Sequence, residues 1–400
     1  MSQFSLSKIT SPHFLAVIYL IMMLTQIVWI EGEGISTLKV TLMALAIPLL
    51  LFKYMKLGEH VLWAILYMMV VLMCAYSQSY VRFSTIGFLG MNIITFLLFY
   101  NLICYFHGFT LTQFIKFLRI YIIVAGVTVL LQQLCLSVGL SNLPFINLVG
   151  QNFLGTAKYP GWTLEPSHNA RITGCVMLAY LKCISLRDGC KPTLKDMMNK
   201  EHRLVTLAFM WMILTQGSGT GFVIFFILIF YFLRKNTIWM FFPVAVLGFI
   251  ALSALHIEQF ERTLSVIKVT MSGDTTAVFE NDDSAAARIV PILNTIFNTD
   301  FLDPQMWFGQ GTSSLEENED WIERLFTSRI GNINQYGIIS FLFSLILVFR
   351  CMISKFFSLE TLIFFLILGG GINNVAYVWG CLMLFTVIRH FEHATLFKRT

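Results

Sequence analysis

Charge is what this chain has least of. Asp, Glu, Lys and Arg make up 12% of its 400 residues, against about 25% in a soluble globular chain. So few charges exclude an ordinary water-soluble domain, because too little polar surface remains to face water. Internal repeats and low-complexity tracts are also missing. There are only eight cysteines, and all fall in apolar runs or in the short basic loops between them. The longest polar loop has none, so it is not a disulfide-stapled domain. No Cys and His pair has zinc-ligand spacing, so neither a metal nor a cofactor is expected, and no nucleic-acid partner. The residues before about His13 carry one Lys and no cleavage site, which makes the first apolar run a retained span rather than a removed signal peptide.

Apolar side chains fill the space that charge leaves. The chain is 57% hydrophobic with 38 Phe, and its mean hydropathy is +0.74. A spanning helix needs about 20 mainly apolar residues. Runs near 13–30, 35–52, 60–77, 85–106, 119–139, 169–186, 203–216, 220–233, 238–256, 329–349, 359–372 and 375–389 meet or approach that length. The expected fold is therefore all-α: a single polytopic integral membrane domain, 1–400, with about twelve transmembrane helices in the lipid bilayer. Two pairs are short, 203–216 with 220–233 and 359–372 with 375–389. Gly217-Ser218-Gly219-Thr220-Gly221 breaks the helical pattern between the first two, which reads as a tight hairpin.

Loop charge sets the orientation. Cytoplasmic loops collect Lys and Arg. With the N-terminus inside and every run crossing, Lys53, Lys56, Lys182, Arg187, Lys191, Lys195, Lys200, Arg203, Arg234, Lys235, Arg350, Lys355 and the basic C-terminus all fall inside. A single crossing by 203–233 would move Arg234 and Lys235 outside, so the hairpin reading wins. Two long loops then lie outside, 140–168 and 257–328. The second holds thirteen acids against four bases, and a loop of that size is usually functional or has structure of its own. Within it, Asp283 followed by Ser284-Ala285-Ala286-Ala287-Arg288 reads as an N-cap and a helix start. Trp307 to Thr312 reads as an apolar anchor and a turn.

Basic residues on an acidic face invite a function. Arg presents a rigid fork suited to phosphate and carboxylate, and charges at a membrane edge are functional by default. The stretch Gly161 to Gly174, GWTLEPSHNARITG, gathers three such groups. Pro166 suits the first turn of a helix. His168 and Arg171 are three apart and share a face, close to a helix N-terminus that favours anions. Arg329 opens a later span after Thr327 and Ser328. Pairing with local acids, Glu165 or Glu323, is the competing role for these arginines. Glu165 and His168 are rival general bases. A Ser–His–Asp reading of Ser167-His168 fails, since helix neighbours do not face each other. Gly309-Gln310-Gly311 is too weak for a nucleotide loop.

Four features together resemble the Wzy-type O-antigen polymerases of the wider O-antigen ligase/polymerase superfamily. They are Glu165-Pro166-Ser167 opening a span after an outside loop; Leu214-Thr215-Gln216-Gly217-Ser218-Gly219-Thr220-Gly221 as a polar, small-residue break; Ser284…Arg288 followed by Gly309 and Gly311 in a large loop; and Asn332…Gln335-Tyr336-Gly337-Ile338-Ile339 at the entry to a late span. The resemblance covers about 150–389. Where this chain has Gly219, the family usually has Arg or another polar residue. What the resemblance implies is a GT-C-like, metal-independent glycosyltransferase of the bacterial inner membrane, working on the periplasmic face with both termini cytoplasmic. Donor and acceptor would be undecaprenyl-diphosphate-linked glycans, with a chain-length regulator protein as partner. Arg171 and Arg288 would grip diphosphates, Arg329 would assist, and Glu165 or His168 would act as base. The alternatives are an O-antigen ligase, which transfers the glycan to lipid A-core, and, from another class, a glycan transporter. A transporter should carry midplane charges in broken helices and internal repeats; here the charges gather at the outer edge.

Overall fold

A backbone inside lipid must satisfy its own hydrogen bonds, so it forms helices. The computed structural model follows that rule nearly throughout. It describes residues 11–26, 36–78, 81–140, 151–153, 156–233, 265, 268–269, 271, 275–281, 283–298, 300–311, 329–372 and 375–397. Helices α1 (Pro12–Leu24), α2 (Thr37–Leu49, continued by a π turn Leu50–Tyr54), α3 (Glu59–Tyr76), α4 (Phe83–Cys104) and α5 (Leu111–Ser137) come first. A short antiparallel hairpin follows, β1 (Gln151–Phe153) with β2 (Thr156–Lys158). Then come α6 (Pro166–Asp188), the one-turn α7 (Leu194–Met197), α8 (Arg203–Thr215) and α9 (Gly219–Phe232). After these are α10 (Thr275–Asn281), α11 (Asp283–Phe297), α12 (Pro304–Phe308), α13 (Gly331–Cys351), α14 (Leu359–Leu366) and α15 (Ala376–Phe397).

Among the described residues, five helices are long and apolar enough to cross a membrane: Thr37–Tyr54, Glu59–Tyr76, Phe83–Cys104, Leu111–Ser137 and Ile333–Cys351. Among its described residues the chain is mainly helical, and its apolar helices make it a membrane-embedded protein. The expected span 238–256 lies outside the described residues, as does much of 257–328.

Helix α6 is the rod that the later elements measure themselves against. It packs on α15, α5 and α9, and most of its residues from Ser167 to Ile184 are buried. At one end stand Glu165 and Arg171, at the other Lys182 and Arg187. At 1.5 Å per residue, Arg171 and Lys182 are about 16 Å apart along the axis. His202, just before α8, bonds Tyr180 of α6 at 2.8 Å. Gln216, just after α8, accepts from Asn169 near the opposite end of α6 at 2.9 Å. The Tyr231 hydroxyl, near the end of α9, returns to the Leu181 carbonyl at 3.1 Å. So α8 and α9 form the expected hairpin, with Gly217 at φ 77° in its break.

The last pair behaves alike. Glu360 at the start of α14 meets Lys182, while Tyr377 at the start of α15 meets Arg171. The chain therefore travels that length of α6 with only eight residues of helix. Gly369 and Gly370, both at positive φ, end the helical stretch. α15 then runs back, and its Glu392 rejoins Lys182 at 3.2 Å. A continuous helix over 359–372 is not what forms.

The motifs around Gly309 and Gly337 resolve into one clamp. α13 is broken at Gly337, with φ 77° and ψ 174°. Gly309 lies across from it, with φ 85° and ψ 166°. The two backbones touch: a Cβ on Gly309 would lie 2.6 Å from Tyr336 N, and one on Gly337 2.5 Å from Phe308 N. Gln310 N–H donates to Asn334 O at 2.9 Å and Gly311 N–H to Gln335 O at 3.3 Å. Gln78, beyond the end of α3, adds its side-chain amide to Phe308 O at 2.8 Å and Gln335 O at 2.6 Å.

Candidate functional site

The segment before α6 is held down from three sides. Tyr159 N–H donates to Gln216 O at 3.0 Å, and Gln26 N–H to Trp162 O at 2.9 Å. Gly161, at φ 61°, donates its N–H to Gln132 Oε1 at 3.0 Å and lies flat on the Asn169 amide, where a Cβ would come within 2.8 Å. The Thr163 hydroxyl lies 2.7 Å from both Pro160 O and Glu165 O, and its one hydrogen is shared between them. Gln132, Asn169 and Gln216 are buried, so this seat is a layer of amides inside the helix bundle. Such groups are costly in an apolar interior unless bonded. Here each has one good partner, while Gln132 Nε2 and Gln216 Nε2 have none among the described residues.

On that seat Glu165 is the N-cap residue of α6, followed by Pro166 at the first position. Its carboxylate is 58% exposed and stands 3.8 Å from His168 Nε2. It also accepts from the Ser167 hydroxyl at 3.1 Å. His168 is turned by Gln26, whose Oε1 lies 3.0 Å from Nδ1. The same oxygen accepts the Leu164 N–H at 3.3 Å. That second bond fixes the amide orientation, because an NH2 group could not accept it. Nδ1 of His168 must then carry the hydrogen. In the neutral ring, Nε2 is the acceptor, and it is the nitrogen turned to Glu165.

Arg171 lies one turn further on. Its Nη1 donates to the Tyr377 hydroxyl at 2.6 Å, and its Nε is buried with no acceptor among the described residues. The Tyr377 ring also lies against His168, with centroids 4.7 Å apart. No carboxylate among the described residues pairs with Arg171, so the competing pairing with Glu165 does not occur. Glu165, His168 and Arg171 thus form one cluster, stitched by Gln26 and Tyr377.

Arg329 has a different partner. Its Nη2 is 3.9 Å from Asp303 Oδ2, and the side chain is 12% exposed. Asp303 is the N-cap of α12, so Arg329 belongs to the clamp rather than to the Arg171 cluster. Glu323, Thr327 and Ser328 lie outside the described residues. Arg288 falls within α11, and its side chain lies outside the described residues. The end of α11 reaches Arg329's neighbour, since Thr295 Oγ1 accepts the Ile330 N–H at 3.0 Å. Arg288 is two turns before Thr295 on the same helix.

No family model, curated protein or solved structure matches this chain. Gln26, Gln132, Asn169, Gln216 and Tyr377 were not among the residues expected at the site. An amide inside an apolar run is a signal for Gln132 and Gln216, because an unbonded one would be expensive there. Gln26 and Tyr377 gave no local sign; they reach the site from 142 and 206 residues away.

Proposed function

We propose that the chain is a metal-independent, GT-C-like glycosyltransferase with about twelve spans, joining undecaprenyl-diphosphate-linked repeat units into polysaccharide on the periplasmic face of the bacterial inner membrane. The observation that carries this is Arg171: a guanidinium in the first turns of α6, held by a tyrosine hydroxyl and by no acid among the described residues. Such a group, near the N-H groups of a helix start, suits a diphosphate. The resemblance in sequence supplies the identity of that diphosphate.

In the reaction, an acceptor hydroxyl oxygen attacks the donor's anomeric carbon as the bond to the diphosphate oxygen breaks. The hydroxyl proton goes to His168 Nε2. Glu165, 3.8 Å away, then stabilises the imidazolium. This assignment favours His168 over Glu165 as base, since the Gln26 contact orients its acceptor nitrogen while Glu165 faces solvent. Arg171 balances charge on the departing diphosphate. Arg288 and Arg329, joined through α11 and α13, serve the second lipid-linked substrate. Deleting the gene separates this reading from its nearest rival: loss of a polymerase leaves single repeat units on the lipid core, whereas loss of a ligase leaves none. The Arg288→Ala variant should stay in the membrane and make no long chains; wild-type chain lengths would remove Arg288 from the site.

A further inference from the structure

Helix α2 carries a cation where its own dipole disfavours one. Lys39 is in the first turn of α2, which starts at Thr37, and the N-terminal end of a helix carries partial positive charge. The side chain is half-buried on a helix long and apolar enough to cross a membrane, where an ammonium group is costly unless it has a partner. Its partner among the described residues is a backbone oxygen: Lys39 Nζ donates to Thr25 O at 2.5 Å. Thr25 closes α1, so the cation leaves the unfavourable end of one helix for the favourable end of another.

That oxygen belongs to the peptide that leads into Gln26. Thr25 has already left the helix, with φ -111° and ψ 152°. Its N–H and its hydroxyl both return to Ile21 O, at 3.0 and 2.9 Å, and Lys39 takes its carbonyl. On the other side of the same peptide, Gln26 N–H donates to Trp162 O at 2.9 Å. The Thr25–Gln26 peptide is thus gripped at both ends, by α2 and by the segment before α6. Gln26 then places its side-chain oxygen 3.0 Å from His168 Nδ1 and 3.3 Å from Leu164 N. A continuous series of bonds runs from Lys39 through one peptide and one amide to the imidazole.

We infer that Lys39 is a positioning residue for His168: its ammonium fixes the Thr25–Gln26 peptide, and that peptide holds Gln26 where it keeps the His168 hydrogen on Nδ1 and the acceptor on Nε2. The inference rests on the reading of His168 as general base and deepens it. A mere cap on α1 would support the fold and leave the imidazole alone, so the two roles predict different readouts.

The test uses the full chain in detergent, as Lys39→Met, Lys39→Arg, Gln26→Leu and the Lys39→Met/Gln26→Leu pair. Orientation of a general base is worth about ten- to a hundredfold in rate. Lys39→Met should lower kcat by that factor with KM little changed, and should move the acid limb of the pH–rate profile as Gln26→Leu does. Glu165 of the same helix and Tyr377 of α15 also lie against His168, and neither is altered in these variants. Lys39→Arg keeps a charged donor and should recover most of the rate. Because Lys39 acts through Gln26, the pair should be no slower than Gln26→Leu alone. Nitrogen-15 NMR of the histidines, assigned with His168→Asn, reads the same coupling without turnover: His168 should carry Nδ1–H in the wild type and lose part of it in Lys39→Met. If Lys39→Met does not reach the membrane, Lys39→Gln is read in the same assays. A wild type that transfers no lipid-linked glycan would overturn the glycosyltransferase reading alone, because the histidine spectrum still tests Lys39. A lowered melting temperature with the pH profile unmoved, losses that multiply in the pair, or a His168 signal untouched by Lys39→Met would overturn the inference.

Discussion

Alanine at Gly337 should be the most damaging small substitution in the chain, and its cost can be worked from the clamp. Gly337 has φ 77° and ψ 174°, a region that is essentially glycine's alone and costs any other residue about 1–3 kcal/mol. The new Cβ would also lie 2.5 Å from Phe308 N, so the two backbones must part. Parting breaks the bonds from Gln310 N–H to Asn334 O and from Gly311 N–H to Gln335 O, and leaves Gln78 with one acceptor where it had two. At about 1 kcal/mol net for each bond lost, the clamp contributes about 3 kcal/mol. With mid-range strain, Gly337→Ala should cost about 5 kcal/mol. Gly309→Ala should cost a similar amount, since it breaks the same contact. The double variant loses the bonds only once, so it should fall about 3 kcal/mol short of the sum. Thermal unfolding of the purified protein in detergent, run as a double-mutant cycle, measures this. Two independent, fully additive losses, or a Gly337→Ala protein that melts as the wild type does, would refute the clamp.

Other perturbations have equally definite outcomes. Tyr377→Phe takes the acceptor from Arg171 Nη1, and a hydrogen bond to a charged group is worth about 1.5–3 kcal/mol; thermal unfolding should register the loss, and Tyr377→Phe should release polymer more slowly in a turnover assay. Gln26→Leu removes the oxygen shared by Leu164 N–H and His168 Nδ1, so the pH–rate profile should change its acid limb if His168 is the base and stay unchanged if it is not. Lys182→Met strands Glu360, which is 3% exposed, and breaking one side of a buried ion pair costs about 3–5 kcal/mol. Adding Glu360→Gln should recover part of that loss; no recovery would argue against direct pairing. At His202, burial holds the imidazole below its ordinary range. The unfolded chain then binds the proton more readily, so stability should fall as pH drops through the usual histidine range. His202→Asn should flatten that dependence in a pH series of melting temperatures.

Much of the fold was written in hydropathy and loop charge. The hairpin of α8 and α9 followed from Gly217 and from the need to keep Arg234 and Lys235 on the basic side. Two features were not legible for a physical reason. The helix that opens the crossing between Glu360 and Tyr377 stops at Leu366, and no apolar count distinguishes eight helical residues from fourteen when neighbouring helices shield the rest. The Gly309 and Gly337 motifs were visible as separate glycines, but their mutual contact is a fact of packing. At the site, Glu165, His168 and Arg171 were legible because they share one helix start. The partner of Arg329 was not legible by the same logic: Asp303 lies 26 residues away in sequence and meets it only through the packing of α12 beside α13.

The measurement that bears most directly on the account is the chain-length distribution of surface polysaccharide in a deletion strain complemented with Arg171→Ala, alongside wild type and Arg171→Lys. Removing a charge-assisted contact to a developing anion costs about a hundredfold in rate. Arg171→Ala should give single repeat units at wild-type membrane abundance, and Arg171→Lys, which keeps the charge without the fork, should give partial polymer. A wild-type chain-length ladder from Arg171→Ala would contradict it.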